Sequence, residues 1–272
     1  ENRYLTTVNS NAFNVIMYNS LFSSVFGDQH MSGIELLLHG YRIATNGDIH
    51  YLPTPEQWDA TPAPTRESRT FDDATNTATV SMKFDGAPDG TLTYDIIATP
   101  EPGGVVLSVV LTSDLPASLA GKARFNLEFI PSRYETKTYQ VDSDKDGEYD
   151  TYGIFPLHPQ STMEIVERPD LPTQAWYVKE WNEDRGESQP VPFAKGYKFS
   201  FAPEDELYNI SIISDSGELE LFDGRDRAQN GWYVLSELIT GGKSGDVIAK
   251  WHIRPKVKKN WVREPNIAFS QA

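Results

Sequence analysis

The feature that most constrains the fold of this chain is an alternation of apolar and polar residues with a period of two. It recurs every ten residues or so and is interrupted by clusters of Gly, Pro, Asn and Asp. Side chains alternate in this way when a strand lies in a sheet with one buried face, whereas an amphipathic helix has a period of 3.6. About fourteen short strands are predicted, among them Thr77–Phe84, Gly104–Leu111 and Tyr208–Ile213. The sequence therefore predicts an all-β protein.

This number of strands exceeds one immunoglobulin-like unit. We therefore predict a large antiparallel two-sheet β-sandwich, a super-sandwich like that of galactose mutarotases, over residues 1–254. Residues 255–272 are predicted to be a basic connector followed by a new strand. The pattern of Asn11–Phe26 fits both a helix and a strand, with a slight preference for the strand. Asn46-Gly47 is predicted to form the centre of a tight hairpin turn at Thr45–Asp48.

Charge and composition exclude several functional classes. The 272 residues include 24 Lys and Arg against 39 Asp and Glu, which gives a formal net charge of −15. Such a charge argues against nucleic acid or an anionic membrane as a partner. No stretch approaches the roughly 20 apolar residues of a membrane span. The absence of Cys excludes disulfides and thiol nucleophiles, and no catalytic motif of a serine hydrolase or a zinc protease is present. We therefore predict no catalytic residue.

The acidic segment 142–150 has the pattern of a loop that wraps a hard cation. Its carboxylates alternate along the chain, and Gly147 stands at the sixth position, where a sharp turn is needed. Gly153 occupies the position of the bidentate Glu of an EF-hand, so the loop is not an EF-hand. The alternative is a solvated acidic turn that binds nothing. The predicted ligands of a structural calcium ion are Asp142, Asp144, Asp146, Glu148 and Asp150.

Aromatic residues give a second signal. The chain has 6 Trp and 13 Tyr, and sugar-binding β-sandwiches stack such rings against the apolar faces of pyranose rings. Trp58 lies in a proline-rich segment, and Trp176, Tyr177 and Trp181 lie close together in the chain. These four residues are the predicted carbohydrate-binding residues. The alternative for each is burial in the core.

Four phrases of the sequence carry a family resemblance. They are Gly33–Asp48, Thr54–Asp59, Phe125–Tyr134, and Phe222–Arg225 together with Gln229–Trp232. Together they resemble the N-terminal all-β accessory module of bacterial family 9 glycoside hydrolases, which are cellulase-like enzymes. The segment Asn266–Ala272 is similar to the first strand of the immunoglobulin-like domain that precedes the catalytic barrel in that family.

The resemblance implies a module truncated before its immunoglobulin-like and catalytic domains. The expected function is non-catalytic: the module binds or positions a β-glucan or a related plant polysaccharide for the linked hydrolase. The expected location is secreted, periplasmic or on the bacterial cell surface. No catalytic residue of the family maps onto this chain, because its Asp-rich motif and helical barrel have no counterpart here.

Two other functions remain open at this point. The module could be a scaffold that stabilises the linked catalytic domain, which an apolar patch near the C-terminal connector would favour. It could also be a mutarotase-like or lyase-like enzyme, for which Tyr134 beside Arg133, and His158, are the only hints. A structural alternative for the matching phrases is a buried ion-pair network of Glu35, Arg42 and Arg225.

Overall fold

The computed structural model describes residues 4–6, 12–17, 33–51, 65–157, 165–167, 175–177, 180–182, 187–189, 192–226 and 232–262. These residues form one short α-helix, α1 (Pro131–Tyr134), one turn of 3-10 helix at Gly224–Asp226, and otherwise mainly strands. The strands are β1 (Tyr4–Thr6), β2 (Phe13–Met17), β3 (Ile34–Leu38), β4 (Tyr41–Tyr51), β5 (Thr65–Asp72), β6 (Thr77–Ala87), β7 (Gly90–Glu101), β8 (Gly104–Leu111), β9 (Ala123–Phe129), β10 (Thr138–Asp142), β11 (Thr151–Ile154), β12 (Ile165–Glu167), β13 (Ala175–Tyr177), β14 (Glu180–Asn182), β15 (Glu187–Gln189), β16 (Ala194–Gly196), β17 (Lys198–Phe201), β18 (Ile210–Ser214), β19 (Leu219–Asp223), β20 (Tyr233–Ile239) and β21 (Val247–Pro255).

Most strands belong to two large antiparallel sheets. The eight-stranded sheet has the order β1-β2-β3-β4-β9-β20-β19-β16, and the nine-stranded sheet has the order β11-β10-β17-β18-β21-β8-β7-β6-β5. Two further antiparallel pairs, β12–β13 and β14–β15, complete the described strands. This architecture confirms the predicted all-β sandwich. No helix in the described part of the chain is both long and apolar enough to cross a membrane.

The core lies between the two sheets. On β8, Val105, Leu107, Val109 and Leu111 are buried and alternate with more exposed residues, as the period of two predicts. Aromatic rings join the sheets at the centre: Phe125 of β9 packs edge-on against Trp251 of β21, with 4.8 Å between the ring centroids. These contacts establish which side of β9 faces the core.

The predicted hairpin turn at Asn46-Gly47 was wrong. The chain reverses between β3 and β4 at His39-Gly40, whose φ angles of 50° and 78° supply the left-handed backbone of a tight turn. Asn46 and Gly47 instead form an irregularity inside β4, where the register with β9 shifts between Thr45 and Asp48. Gly47 is required there because a Cβ would stand 2.8 Å from Cβ of Ile34. A tight chain approach therefore explains Gly47, and Asn46 before it adopts a left-handed φ of 50°.

The ambiguous segment at the start of the chain is a strand where it is described. Phe13, Val15 and Met17 of β2 are buried and pair with β3. This confirms the strand alternative for those residues. Residues 18–26 lie outside the described part of the chain.

Candidate functional site

The outer face of the eight-stranded sheet carries buried polar side chains. Phe125, Leu127 and Phe129 of β9 point toward the other sheet, so the residues between them point away from it. Outward residues of a sandwich are normally solvated, but every residue of β9 is buried. We call the following set the polar face: Glu35, Thr45, Asn46, Arg124, Asn126, Glu128, Glu220 and Ser236.

One half of the polar face is an ion-pair network. Glu220 contacts the guanidinium of Arg124 at 2.5 Å and the ammonium of Lys195 at 2.5 Å. Arg124 also donates a hydrogen bond to Oγ of Ser236 at 3.3 Å and lies 5.3 Å from the ring centroid of Phe222. Burial alone would raise the pKa of Glu220, but Arg124 and Lys195 outweigh it and lower the pKa below its ordinary value. Glu220 is therefore a carboxylate at neutral pH.

The other half of the polar face is held by hydrogen bonds. Asn46 donates its amide to Oε2 of Glu128 at 2.6 Å. Thr45 donates its hydroxyl to Oε1 of Glu35 at 3.0 Å, and Arg42 contacts the same oxygen at 3.1 Å. Part of the predicted ion-pair network is therefore present, although the Arg42 side chain is half-exposed.

Arg225 belongs to a different cluster, so its predicted pairing with Glu35 was wrong. Its guanidinium bonds both carboxylate oxygens of Asp223 at 2.9 Å and donates to the carbonyl of Pro156 at 2.6 Å. It also lies 4.6 Å from the ring centroid of Tyr233. The cluster joins the end of β19 to the chain that follows β11, because Arg225 and the hydroxyl of Tyr233 both donate to the carbonyl of Pro156. Asp223 and Tyr233 are opposite each other in the register of β19 and β20.

Asn126 lies between the two halves of the polar face. It is opposite Ser236 in the register of β9 and β20, and its side chain is 1% exposed. Among the residues that the structure describes, neither its amide oxygen nor its amide nitrogen has a hydrogen-bond partner. A buried amide in this state carries a desolvation cost that a bound molecule or a water would remove. Sequence reasoning missed Asn126, because an alternating polar residue in a strand looks like an ordinary solvent-facing one.

The acidic loop lies between β10 and β11 and is ordered by its own backbone. Asp142 is buried and accepts hydrogen bonds from the backbone N–H of Lys145 at 2.7 Å and of Gly147 at 2.8 Å. Lys145 and Gly147 have φ angles of 68° and 96°, so the chain turns through the left-handed region twice. Lys198 donates its ammonium to the carbonyl of Gly147.

Three of the five predicted metal ligands converge. One carboxylate oxygen from each of Asp142, Asp144 and Asp146 lies within 4.8 Å of the others, in a group that includes neither Glu148 nor Asp150. Asp150 instead accepts hydrogen bonds from the hydroxyl and the backbone N–H of Ser143, which lowers its pKa. The described structure therefore brings together a three-carboxylate cluster.

The predicted aromatic residues are described only in part. Trp58 lies outside the described residues. The backbones of Trp176 and Tyr177 belong to β13 and that of Trp181 to β14, but their side chains lie outside the description. Their role in binding stays a prediction.

The tyrosine that hinted at lyase chemistry is in the core. Tyr134 is fully buried, and its hydroxyl donates a hydrogen bond to the carbonyl of Tyr208 at 3.2 Å. Burial raises its pKa well above the ordinary value. A catalytic base must reach its substrate, so Tyr134 does not fit that role. His158, the other hint, lies outside the described residues.

No protein-family model matches the chain, and no curated protein is similar to it in sequence. The polar face and the acidic loop are therefore the features from which a functional proposal starts.

Proposed function

We propose that this chain is a non-catalytic carbohydrate-binding module and that its polar face recognises a polysaccharide of the β-glucan type. The observation that carries the proposal is the buried, unpartnered amide of Asn126. A primary amide offers one acceptor and two donors, and neighbouring sugar hydroxyls can both donate and accept.

The charge balance of this region favours a neutral glycan. Three carboxylates, Glu35, Glu128 and Glu220, are accompanied by three cationic side chains, Arg42, Arg124 and Lys195. A polyanionic uronate would need an excess of positive charge, and the net charge of −15 opposes it. A few placed polar groups that fix orientation are typical of small-molecule sites.

The aromatic prediction completes this proposal. The apolar faces of the sugar rings would stack on the four predicted aromatic residues, Trp58, Trp176, Tyr177 and Trp181. The polar face would form hydrogen bonds with the hydroxyl groups of the sugar. Replacing any one of them with Ala is expected to weaken binding without unfolding the protein. Loss of the native circular dichroism spectrum in such a variant would show instead that its ring belongs to the core.

The test is native affinity electrophoresis against mixed-linkage glucan, xyloglucan, glucomannan and xylan. We expect one of the β-glucans to retard the protein and Asn126→Leu to abolish the retardation. Gln140→Leu is the matched control, because Gln140 is a half-buried amide on the outer face of the nine-stranded sheet. The proposal is overturned if no glycan retards the wild-type protein, or if Asn126→Leu is retarded as strongly as Gln140→Leu.

We also propose that the acidic loop binds a structural calcium ion through Asp142, Asp144 and Asp146. Oxygen-rich loops of this kind suit Ca²⁺, and the ion would offset the repulsion among the three carboxylates. The apparent melting temperature is expected to rise with added Ca²⁺ and to fall with chelator. Asp144→Asn should abolish this response, whereas Asp73→Asn, at the exposed turn after β5, should keep it. An identical melting temperature in calcium and in chelator would contradict the assignment.

The family resemblance supports a larger context for these proposals. We propose that the chain is the accessory module of a bacterial, secreted or surface-bound family 9 glycoside hydrolase, linked to immunoglobulin-like and catalytic domains. A longer clone from the same locus tests this directly: it should encode a helical catalytic barrel after this module and hydrolyse a β-glucan. An open reading frame without such a barrel would refute it.

A scaffold role is the second candidate, and one observation favours it. Tyr152 and Ile154 of the edge strand β11, and Leu157 after it, expose 61%, 67% and 51% of their surface. An apolar sheet edge of this kind suits contact with a neighbouring domain. Tyr152→Ser with Ile154→Ser should then lower the melting temperature of the full enzyme but leave the isolated module unchanged. Equal melting temperatures of the mutant and wild-type full enzyme would exclude this role.

A further inference from the structure

A cleft of about 580 Å³ opens at one end of the sandwich, and Glu220 of the polar face is among the residues that line it. It lies where the chain crosses from β18 in one sheet to β19 in the other. Its walls are the crossing segment Ser216–Glu218, the end of β20 at Leu238–Gly241, and the beginning of β21 at Asp246–Ile248. This volume is within the range of small-molecule sites.

Glu237 is a buried carboxylate in the wall of this cleft. It is 3% exposed, and its Oε2 accepts three hydrogen bonds: 2.9 Å from each hydroxyl of Ser214 and Ser216, and 2.6 Å from the indole N–H of Trp251. No described residue donates a hydrogen bond to Oε1. That oxygen faces Gly217, since a Cβ on Gly217 would stand 2.8 Å from it. One oxygen thus anchors the side chain, and the other stays available to a ligand.

The charge around Glu237 points to a cation. The described residues that line the cleft include four acidic side chains, Glu218, Glu220, Glu237 and Asp246, and no Lys or Arg. Arg124 of β9 and Lys195 of β16 pair with Glu220. Of the cationic residues nearby, Lys145 of the acidic loop attracts Glu237 electrostatically but lies over the ring of Tyr197.

The remaining walls are apolar. Leu238 and Val247 expose 37% and 50% of their surface, and Ile248 lies beside them. An alkyl chain can pack on such residues while its charged head reaches a carboxylate. A compact inorganic ion would leave these apolar walls unused.

We propose that this cleft binds an alkylammonium ligand, with the ammonium on Oε1 of Glu237 and the alkyl stem on Val247 and Ile248. Glu218 and Asp246 add long-range attraction at the entrance. Burial raises the pKa of Glu237 above its ordinary value, so at and below that pKa the binding of a cation is linked to loss of a proton from this carboxyl. This site shares Glu220 with the polar face but depends on Glu237, which is not part of that face.

The experiment is an NMR titration with cadaverine, with 1-pentanol as the neutral comparison at matched ionic strength. The indole N–H resonance of Trp251 reports on the site directly, because that group bonds to Glu237. We expect cadaverine to shift this resonance in a saturable manner and 1-pentanol to leave it in place. The affinity for cadaverine should rise with pH through the range in which Glu237 loses its proton.

Two variants separate the site from general charge effects. Glu237→Gln keeps the shape and should weaken binding at least tenfold, whereas Glu218→Gln, at the exposed entrance, should change it less than about threefold because solvent screens that charge. Gly217→Ala should block Oε1 with its Cβ and abolish binding, which covers the case in which Glu237→Gln does not fold. An unshifted Trp251 resonance in the wild-type protein, or equal affinities of Glu237→Gln and Glu218→Gln, would overturn the proposal.

Discussion

The unpartnered amide of Asn126 makes the fold less stable than it could be, and replacing it tests this directly. Asn126→Leu keeps nearly the same volume and removes a donor and an acceptor that are buried without partners. An uncompensated buried amide costs about 1–3 kcal/mol in proteins, and Leu adds apolar burial of its own. We therefore expect the free energy of unfolding to rise by about 2 kcal/mol. In a domain of this size that corresponds to a rise of about 4–8 °C in melting temperature.

The assay is urea unfolding followed by tryptophan fluorescence, together with calorimetry. The midpoint should move to higher urea at an unchanged slope, which would show that only stability has changed. Gln140→Leu should shift the free energy by less than about 0.5 kcal/mol, because the amide of Gln140 is only half-buried. A lower melting temperature in Asn126→Leu would refute the reasoning, since it would mean that the amide is satisfied in solution. A stability gain combined with loss of glycan binding would identify Asn126 as a residue kept for function.

Three further predictions concern groups away from the polar face. Burial raises the pKa of Glu237, so on raising the pH the folded protein keeps the proton of this carboxyl to a higher pH than the unfolded chain does. The contribution of Glu237 to the free energy of unfolding is therefore fully present below its unfolded-state pKa and is lost as the pH rises through its folded-state pKa. In denaturant titrations at several pH values, the free energy of unfolding of Glu237→Gln should lack this decrease with pH. A variant whose free energy of unfolding falls with pH as steeply as that of the wild-type protein would contradict the assignment. The pKa of Asp205 is shifted in the opposite direction. Burial alone would raise this pKa, but Lys137, 2.6 Å away, and backbone N–H groups lower it below the ordinary value. The contribution of Asp205 to the free energy of unfolding is therefore lost as the pH falls through its folded-state pKa. Asp205→Asn should therefore destabilise the protein at neutral pH and much less at acidic pH, and an equal effect at both would refute this. Trp251→Phe removes the indole donor to Glu237 and part of a fully buried ring; we expect a loss of about 2–4 kcal/mol in urea unfolding, and a change below 1 kcal/mol would show that the site repacks.

The acidic loop shows how far local spacing reaches. Alternating carboxylates followed by Gly147 predicted a turning loop with converging oxygens, and Asp142, Asp144 and Asp146 do converge. These residues are close in sequence, so the turn alone brings them together. Asp150 departs from the prediction because the hydroxyl of Ser143 holds it elsewhere, and no spacing rule reports a competing hydrogen bond of that kind.

The alternation of apolar and polar residues was sufficient to predict an all-β sandwich, because burying one face of a strand imposes a period of two on its side chains. It could not show which outward faces are solvated. Asn126 and Glu128 follow the same pattern as exposed residues, yet they are buried, and only the arrangement of β4, β9 and β20 places them beside Arg124 and Asn46. Glu237 likewise meets Trp251 only because β20 and β21, consecutive strands of different sheets, face each other across the core. Local pattern reports the face of a strand, whereas burial and partners depend on what the rest of the chain packs against it.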